Sequence, residues 1–217
     1  MVTNLSIQAE VIDIGSDTPL RGDIFLVDTN VWFWQTYLKT APSEPWLRKK
    51  VQSYTKYLKQ IRANGATPAY CGLIFAEISH IIEREERQVY SKRYGINLKD
   101  PKTARKFPKE YRHSYPLERA RVVAQVEAVW QEIERIGTAI ELVVNDDTTN
   151  AARHRFHSQA LDGYDLFLLE AISRTTVDQI RVLTDDMDYA TVPNIQVFTS
   201  SPFVLQQAQA QEKLLVR

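Results

Sequence analysis

The chain has one cysteine, Cys71, among 217 residues, so no disulfide can form within it. It also shows no basic-apolar-small leader, and together these predict a protein of the reducing cytoplasm. No apolar run reaches the length of a membrane helix, so no membrane partner is expected. Net charge is missing too: Lys plus Arg and Asp plus Glu number 27 each. That balance argues neither for nor against nucleic acid, and the local distribution of charge has to decide. Internal repeats and low-complexity segments are absent as well.

What the chain does have is short apolar runs alternating with helical patterns. Residues 1–23 carry one alternating stretch, "IQAEVIDI", then Gly15, Pro19 and Gly22, which predicts an edge strand or a loosely attached N-terminal arm. "IFLV" (24–27) follows, then a helix over about 44–63 with Val51, Tyr54, Leu58 and Ile61 inward, ended by Gly65. A short strand near "TPAYC", a helix over about 73–86 and an irregular, basic insertion over about 87–115 come next. A long helix near 117–136 turns Val122, Val126, Val129, Ile133 and Ile136 inward. The strand "AIELVV" (139–144), two more helices through about 174, and the strands "QIRVLT" (179–184) and "IQVFT" (195–199) complete a domain over 24–200. The tail, 201–217, is expected to be helical. Strands separated by helices predict a three-layer α/β/α domain around a mainly parallel sheet, and the length allows a substantial core.

Against this pattern several carboxylates stand in the wrong places. "IFLVDTN" ends an apolar strand on Asp28, at the carboxyl edge where such sheets bind ligands. Glu77 in "LIFAEISHIIER" has Leu73, Ile74, Ile78 and Ile81 as its helical neighbours, and Asp165 in "LDGYDLFLLEAI" has Leu161, Leu168, Leu169 and Ile172. "VLTDDMDY" puts Asp185, Asp186 and Asp188 after another apolar strand. An ionised carboxylate removed from water costs several kcal/mol unless it is protonated, paired or bound to a cation. Arg84 as a partner for Glu77, or a solvated turn for the last three aspartates, would explain one acid at a time. No other Lys or Arg occurs inside these stretches, and oxygen ligands without Cys or His select Mg²⁺ or Mn²⁺.

These segments resemble the PIN-domain nuclease family. "VDTNVW" is similar to its first motif, "FAEISHII" to its second, "YDLFLLEA" to its third and "LTDDMDY" to its fourth, in order across roughly residues 24–199. The resemblance implies an acidic quartet of Asp28, Glu77, Asp165 and Asp186 that catalyses through a bound metal, supported by Thr29, Asn30 and Thr184. Asp185 and Asp188 compete for the fourth place, and Asp162 lies one helical turn before Asp165. It implies a Mg²⁺- or Mn²⁺-dependent endoribonuclease hydrolysing RNA phosphodiester bonds. RNA is the implied substrate, expected to be single-stranded from the basic, aromatic segment after the second motif; an antitoxin protein and a second copy of the chain are the further partners considered, and the role is that of a toxin or of an RNA-processing enzyme. The segment after the second motif is longer than in compact toxin members.

An acidic pocket repels phosphate, so bases must hold the rest of a substrate. The segment 87–119 supplies Arg87, Lys92, Arg93, Lys99, Lys102, Arg105, Lys106, Lys109, Arg112 and Arg119 interleaved with Tyr90, Tyr94, Phe107, Tyr111 and Tyr115: cations for a backbone and aromatic faces for unstacked bases. A solvated lid whose tyrosines pack back onto the domain is the plainer alternative. Arg153 and Arg155, with His154 and His157, form a second basic cluster, while His80 and His113 carry no expected role. Two other functions remain in view: a silent PIN-like module that binds RNA or protein, and an aspartate-nucleophile phosphatase. The phosphatase needs a second Asp two residues after the first, where this chain has Asn30.

Overall fold

The computed structural model describes residues 5–37, 44–175 and 179–217. Among them lie six strands, all parallel, in the order β1-β6-β5-β2-β3-β4. The strands are β1 (Glu10–Asp13), β2 (Ile24–Val27), β3 (Thr67–Tyr70), β4 (Thr138–Ala139), β5 (Ile180–Leu183) and β6 (Ile195–Thr199). The helices are α1 (Thr29–Thr36), α2 (Pro45–Ala63), α3 (Gly72–Arg93), α4 (Pro101–Ser114), α5 (Pro116–Ile136), α6 (Asp146–Phe156), α7 (Gly163–Thr175) and α8 (Pro202–Ala210). They flank the sheet as the outer layers of a three-layer α/β/α fold. No helix among the described residues is long and apolar enough to cross a membrane.

The central strand is apolar because both its faces are covered: Phe25, Leu26 and Val27 are fully buried. Leu26 is paired with Ala69 of β3 on one side and Val182 of β5 on the other. Phe25 packs edge-on against Phe198, ring centroids 4.8 Å apart, and against Tyr57 of α2 at 6.0 Å. Tyr54, Leu58 and Ile61 of α2 are buried as their spacing predicts, with Val51 half-buried. The chain leaves that helix through Gly65 at φ 74, a left-handed turn that glycine adopts without strain. All five inward positions expected on α5 are buried.

Of the two readings of residues 1–23, the edge strand is the one formed. β1 pairs with β6 from Glu10↔Gln196 to Asp13↔Thr199, and Val11 also bridges to Leu214 of the tail. The tail is then fixed by Arg217, whose guanidinium bonds Asp17 at 3.0 and 3.1 Å and Asp23 at 2.9 Å while lying 4.7 Å from the Phe198 ring centroid.

Two expectations need correction. "AIELVV" gives a strand of only Thr138–Ala139, extended by the Ile140 amide bonding to the Tyr70 carbonyl at 2.8 Å. Beyond it Thr148 takes the Val143 carbonyl at 2.7 Å and closes a capping box with Asn145, so the chain is committed to α6. The stretch 87–115 is not irregular: α3 runs on to Arg93, and α4 follows. Asp100 caps α4 by accepting the Thr103 amide at 2.8 Å, and Phe107 and Tyr111 anchor its inner face. Pro108 sits inside that helix without ending it.

Candidate active site

The site begins with register. Val27 of β2 is level with Leu183 of β5, so one residue further on Asp28 comes beside Thr184. The Thr184 hydroxyl donates to Asp28 Oδ2 at 2.8 Å and accepts the Asp186 amide at 2.8 Å. Asp186 Oδ1 in turn accepts the Asp188 amide at 2.9 Å, which shapes the turn leading into the short 3-10 helix Asp188–Thr191. Thr29, at the first position of α1, donates its hydroxyl to Glu77 Oε2. Tyr189 donates to Asp165 Oδ1 at 2.7 Å. Asp28, Glu77, Asp165 and Asp186 thus arrive from β2, α3, α7 and the β5 exit at the carboxyl end of the sheet.

Their electrostatics follow from this gathering. Burial pushes Asp28 up from the usual 3.8 to about 7; Asp186 and Glu77 add repulsion, while the Thr184 hydrogen bond pulls the other way. Asp165 rises to about 8, chiefly through burial, with Asp28, Asp162 and Asp186 as like-charge neighbours and the Tyr189 hydrogen bond opposing. Glu77 is raised by burial and Asp162, against the Thr29 bond. Tyr189, buried among these acids, is held firmly as the phenol and so remains a donor. No Lys or Arg among the described residues pairs with any of the four. Arg84 lies 3.8 Å from Glu85 instead of partnering Glu77.

The three aspartates after β5 differ in their partners. Asp185 is held by Lys50 Nζ at 2.6 Å and by the Tyr54 hydroxyl at 3.3 Å, so it is already neutralised. Asp186 has no such partner among the described residues. Asp188 is half-buried, with its acidity weakened by burial and by Asp186 and Asp162. Asp162 caps α7 through the Tyr164 and Asp165 amides at 2.9 and 3.1 Å, which orients Asp165. Asn30, exposed on α1, lines a cleft of about 430 Å³ with Lys50, Asp185, Asp186, Met187, Ser201 and Phe203.

Among the described residues no three His, Cys, Asp or Glu side chains are close enough to form a ready-made metal cage. The donor chemistry nevertheless fits a hard divalent ion. The donors are oxygen only, their partners are neutral hydroxyls and amides, and Mg²⁺ takes one or two carboxylates while keeping several waters.

The basic residues divide. Lys102, Arg105, Lys106 and Lys109 are exposed at i, i+3, i+4 and i+7 of α4, one continuous stripe on the face opposite buried Phe107 and Tyr111. Arg153 is also exposed. Arg112 stands apart from that stripe: its Nε and Nη2 bond Glu83 at 3.0 and 2.6 Å, while its side chain stays partly exposed. Arg155 is likewise paired, since its Nε is bonded to Glu170 of α7. Phe107 and Tyr111 are 3% and 1% exposed and pack with Tyr90 and Tyr115, so these aromatic residues, read as base platforms, instead pin α4 to α3 and α5, while Tyr94 stands exposed beside Tyr90. His154, His157, His80 and His113 are exposed.

Sequence reasoning missed Tyr189, Lys50 and Tyr54. The aromatic residue after "TDDMD" was the signal for Tyr189; Lys50 gave none, because its partner is 135 positions away. Compared with family models, with curated proteins and with solved structures, the chain finds no match in any of the three.

Proposed function

We propose that the protein is a Mg²⁺- or Mn²⁺-dependent endoribonuclease in which Asp28, Glu77, Asp165 and Asp186 hold the metal. The observation that carries this reading is that four carboxylates from four separate segments gather near the carboxyl end of a parallel sheet, close enough to weaken the acidity of Asp28 and Asp165 though not as a ready-made cage, with only hydroxyl and amide partners among the described residues. Such a group is costly to assemble for stability alone. Bound there, the ion supplies charge neutralisation at a scissile phosphate and a coordinated water of lowered pKa.

The chain's own residues set the geometry. Thr184 fixes the Asp28 carboxylate and the Asp186 backbone together; Tyr189 directs Asp165; Thr29 directs Glu77. Lys50 removes the charge of Asp185 from the cleft beside Asp186. The α4 stripe offers four cations to a nucleic-acid backbone. A place as the toxin of a toxin–antitoxin pair rests on the motif resemblance alone.

The test is incubation of mixed RNAs with the purified protein in Mn²⁺ and in EDTA, beside Asp28→Asn. Cleavage only in Mn²⁺, leaving 5′-phosphate ends, and its loss in Asp28→Asn are expected. Binding of RNA without cleavage under any metal would favour the silent binding module.

A further inference from the structure

A groove of about 740 Å³ runs between α3 and α5, within the size range of sites that hold organic ligands. One end is Glu77 of the acidic quartet, with Tyr164 beside it, the residue that precedes Asp165. The other end is a charge cluster around Glu83, six positions on, about 9 Å further along the helix. Its walls include Val122 and Val126.

Both ends suit a nucleotide strand. Phe75 and Tyr164 are 39% and 49% exposed although large and aromatic, and both flank the acids, two residues before Glu77 and one before Asp165. At the far end one carboxylate, Glu83, meets three guanidiniums: Arg112 at 2.6 Å, Arg119 at 3.4 Å and Arg87 at 3.5 Å. Three cations against one anion leave a surplus of positive charge. The side chains of Arg112 and Arg119 remain 44% and 46% exposed, so that surplus faces the groove. Glu127 also lines the groove; it stands eight positions, about 12 Å, beyond Arg119 on α5 and one turn before Trp130, which packs edge-on against Phe75, so it adds negative charge at the Phe75 end and leaves the arginine end as the place for an anion.

We infer that this groove seats the single-stranded RNA next to the scissile bond, with an unstacked base on Tyr164 and Phe75 and the following backbone phosphate on Arg119 and Arg112. The assignment rests on the ribonuclease reading, which puts the scissile phosphate at the four acids. Arg87 does not line the groove, but the exposed guanidiniums of Arg112 and Arg119 at one end and the exposed aromatic faces at the other favour a nucleotide strand over an apolar peptide helix as the occupant. Base stacking on an aromatic face is tolerant of sequence, so the groove selects unpaired strand and not a particular base.

The experiment compares Tyr164→Ala, Arg119→Ala and Arg119→Lys with wild type. Anisotropy of one labelled single-stranded RNA and of its duplex is followed over a salt series in EDTA, with cleavage in Mn²⁺ measured in parallel. Tyr164→Ala is expected to lose about tenfold in single-strand affinity and little for duplex. Arg119→Ala is expected to flatten the slope of log affinity against log salt by about 0.7, and Arg119→Lys to keep it. If wild type cleaves but these variants bind like wild type, the groove assignment is overturned and a protein partner becomes its occupant, while the ribonuclease reading stands. If wild type neither binds nor cleaves RNA, both fall. Weakened single-strand binding in a protein that never cleaves would keep the groove and overturn the nuclease.

Discussion

Thr184 Oγ1 lies 2.8 Å from Asp28 Oδ2 and 2.8 Å from the Asp186 amide nitrogen, so one hydroxyl positions two of the four acids. Thr184 is fully buried, and Thr184→Val keeps its shape while removing both bonds. We expect Thr184→Val to cost about 1–3 kcal/mol of stability, because the Asp186 amide loses its partner. Cleavage should fall roughly 10- to 100-fold, the usual effect of losing a group that orients metal ligands. Thr184→Ser should restore most of both. Thermal melts and cleavage rates check this; a fully active Thr184→Val would mean that the hydroxyl serves folding only.

The raised acidities of Asp28 and Asp165 make a prediction about pH. The unfolded chain loses these protons near 3.8, the folded protein near 7 and 8, so between those values the folded state binds more protons. Stability from these two groups is therefore full below about pH 4, falls as pH rises through the window and is gone above about 8. Asp165→Asn should remove its share. In EDTA the melting temperature of Asp165→Asn relative to wild type should climb from pH 4 to pH 8, and Mn²⁺ should raise wild type at pH 8 through binding to the folded state. A variant that instead loses ground as pH rises would identify Asp165 as a structural ion-pair member.

The parts legible in the sequence were those governed by local pattern. The apolar run of β2, the helical spacing of α2 and α5, and three of the four acids, as misfits within an apolar face or at a strand end, could be read residue by residue. What was hidden depends on distant pairing. Lys50 pairs with Asp185 across 135 positions, which distinguishes it from Asp186, and Glu83 recruits Arg112 from 29 positions away. The aromatic residues of 90–115 looked like loop platforms because Pro108 and the dense charge obscured an amphipathic helix whose apolar face is only Phe107 and Tyr111. "AIELVV" had strand composition, but the capping demands of α6 outweighed it.

Arg217 should be a stability determinant far from the acids. Its guanidinium is the bidentate partner of Asp17, which Tyr57 also hydrogen-bonds, and it bonds Asp23 as well. Arg217→Ala leaves buried Asp17 without a cation among the described residues, while Asp23 keeps Arg181 at 3.3 Å, a cost of about 3–5 kcal/mol by analogy with other broken buried pairs. Asp17→Asn combined with Arg217→Ala should recover part of it. Chemical denaturation of the three proteins is the measurement, and an Arg217→Ala protein as stable as wild type would show that the tail contributes nothing.

The α4 stripe separates binding from chemistry. Changing Lys102, Arg105, Lys106 and Lys109 together to Ala leaves the buried face of α4 untouched. It should lower the salt slope for single-stranded RNA by about 0.7 for each phosphate that is no longer neutralised. Turnover at saturating RNA should change much less, because uniform binding acts mainly on KM. Equal slopes for wild type and the quadruple variant would show that the stripe does not touch RNA.

The most direct measurement is the initial rate of cleavage of one single-stranded RNA in Mn²⁺ and in EDTA by wild type, Asp186→Asn and Asp185→Asn. Among the described residues Asp186 has no cation partner beside Asp28 and Glu77, whereas Asp185 is already neutralised by Lys50 at 2.6 Å. The account predicts cleavage by wild type in Mn²⁺ alone, at least about 100-fold loss in Asp186→Asn, and retention of most activity in Asp185→Asn, using 10- to 100-fold for an outer-shell partner as the scale that loss of a direct ligand should exceed. Undiminished cleavage in EDTA, or an Asp186→Asn protein as active as wild type, would contradict it.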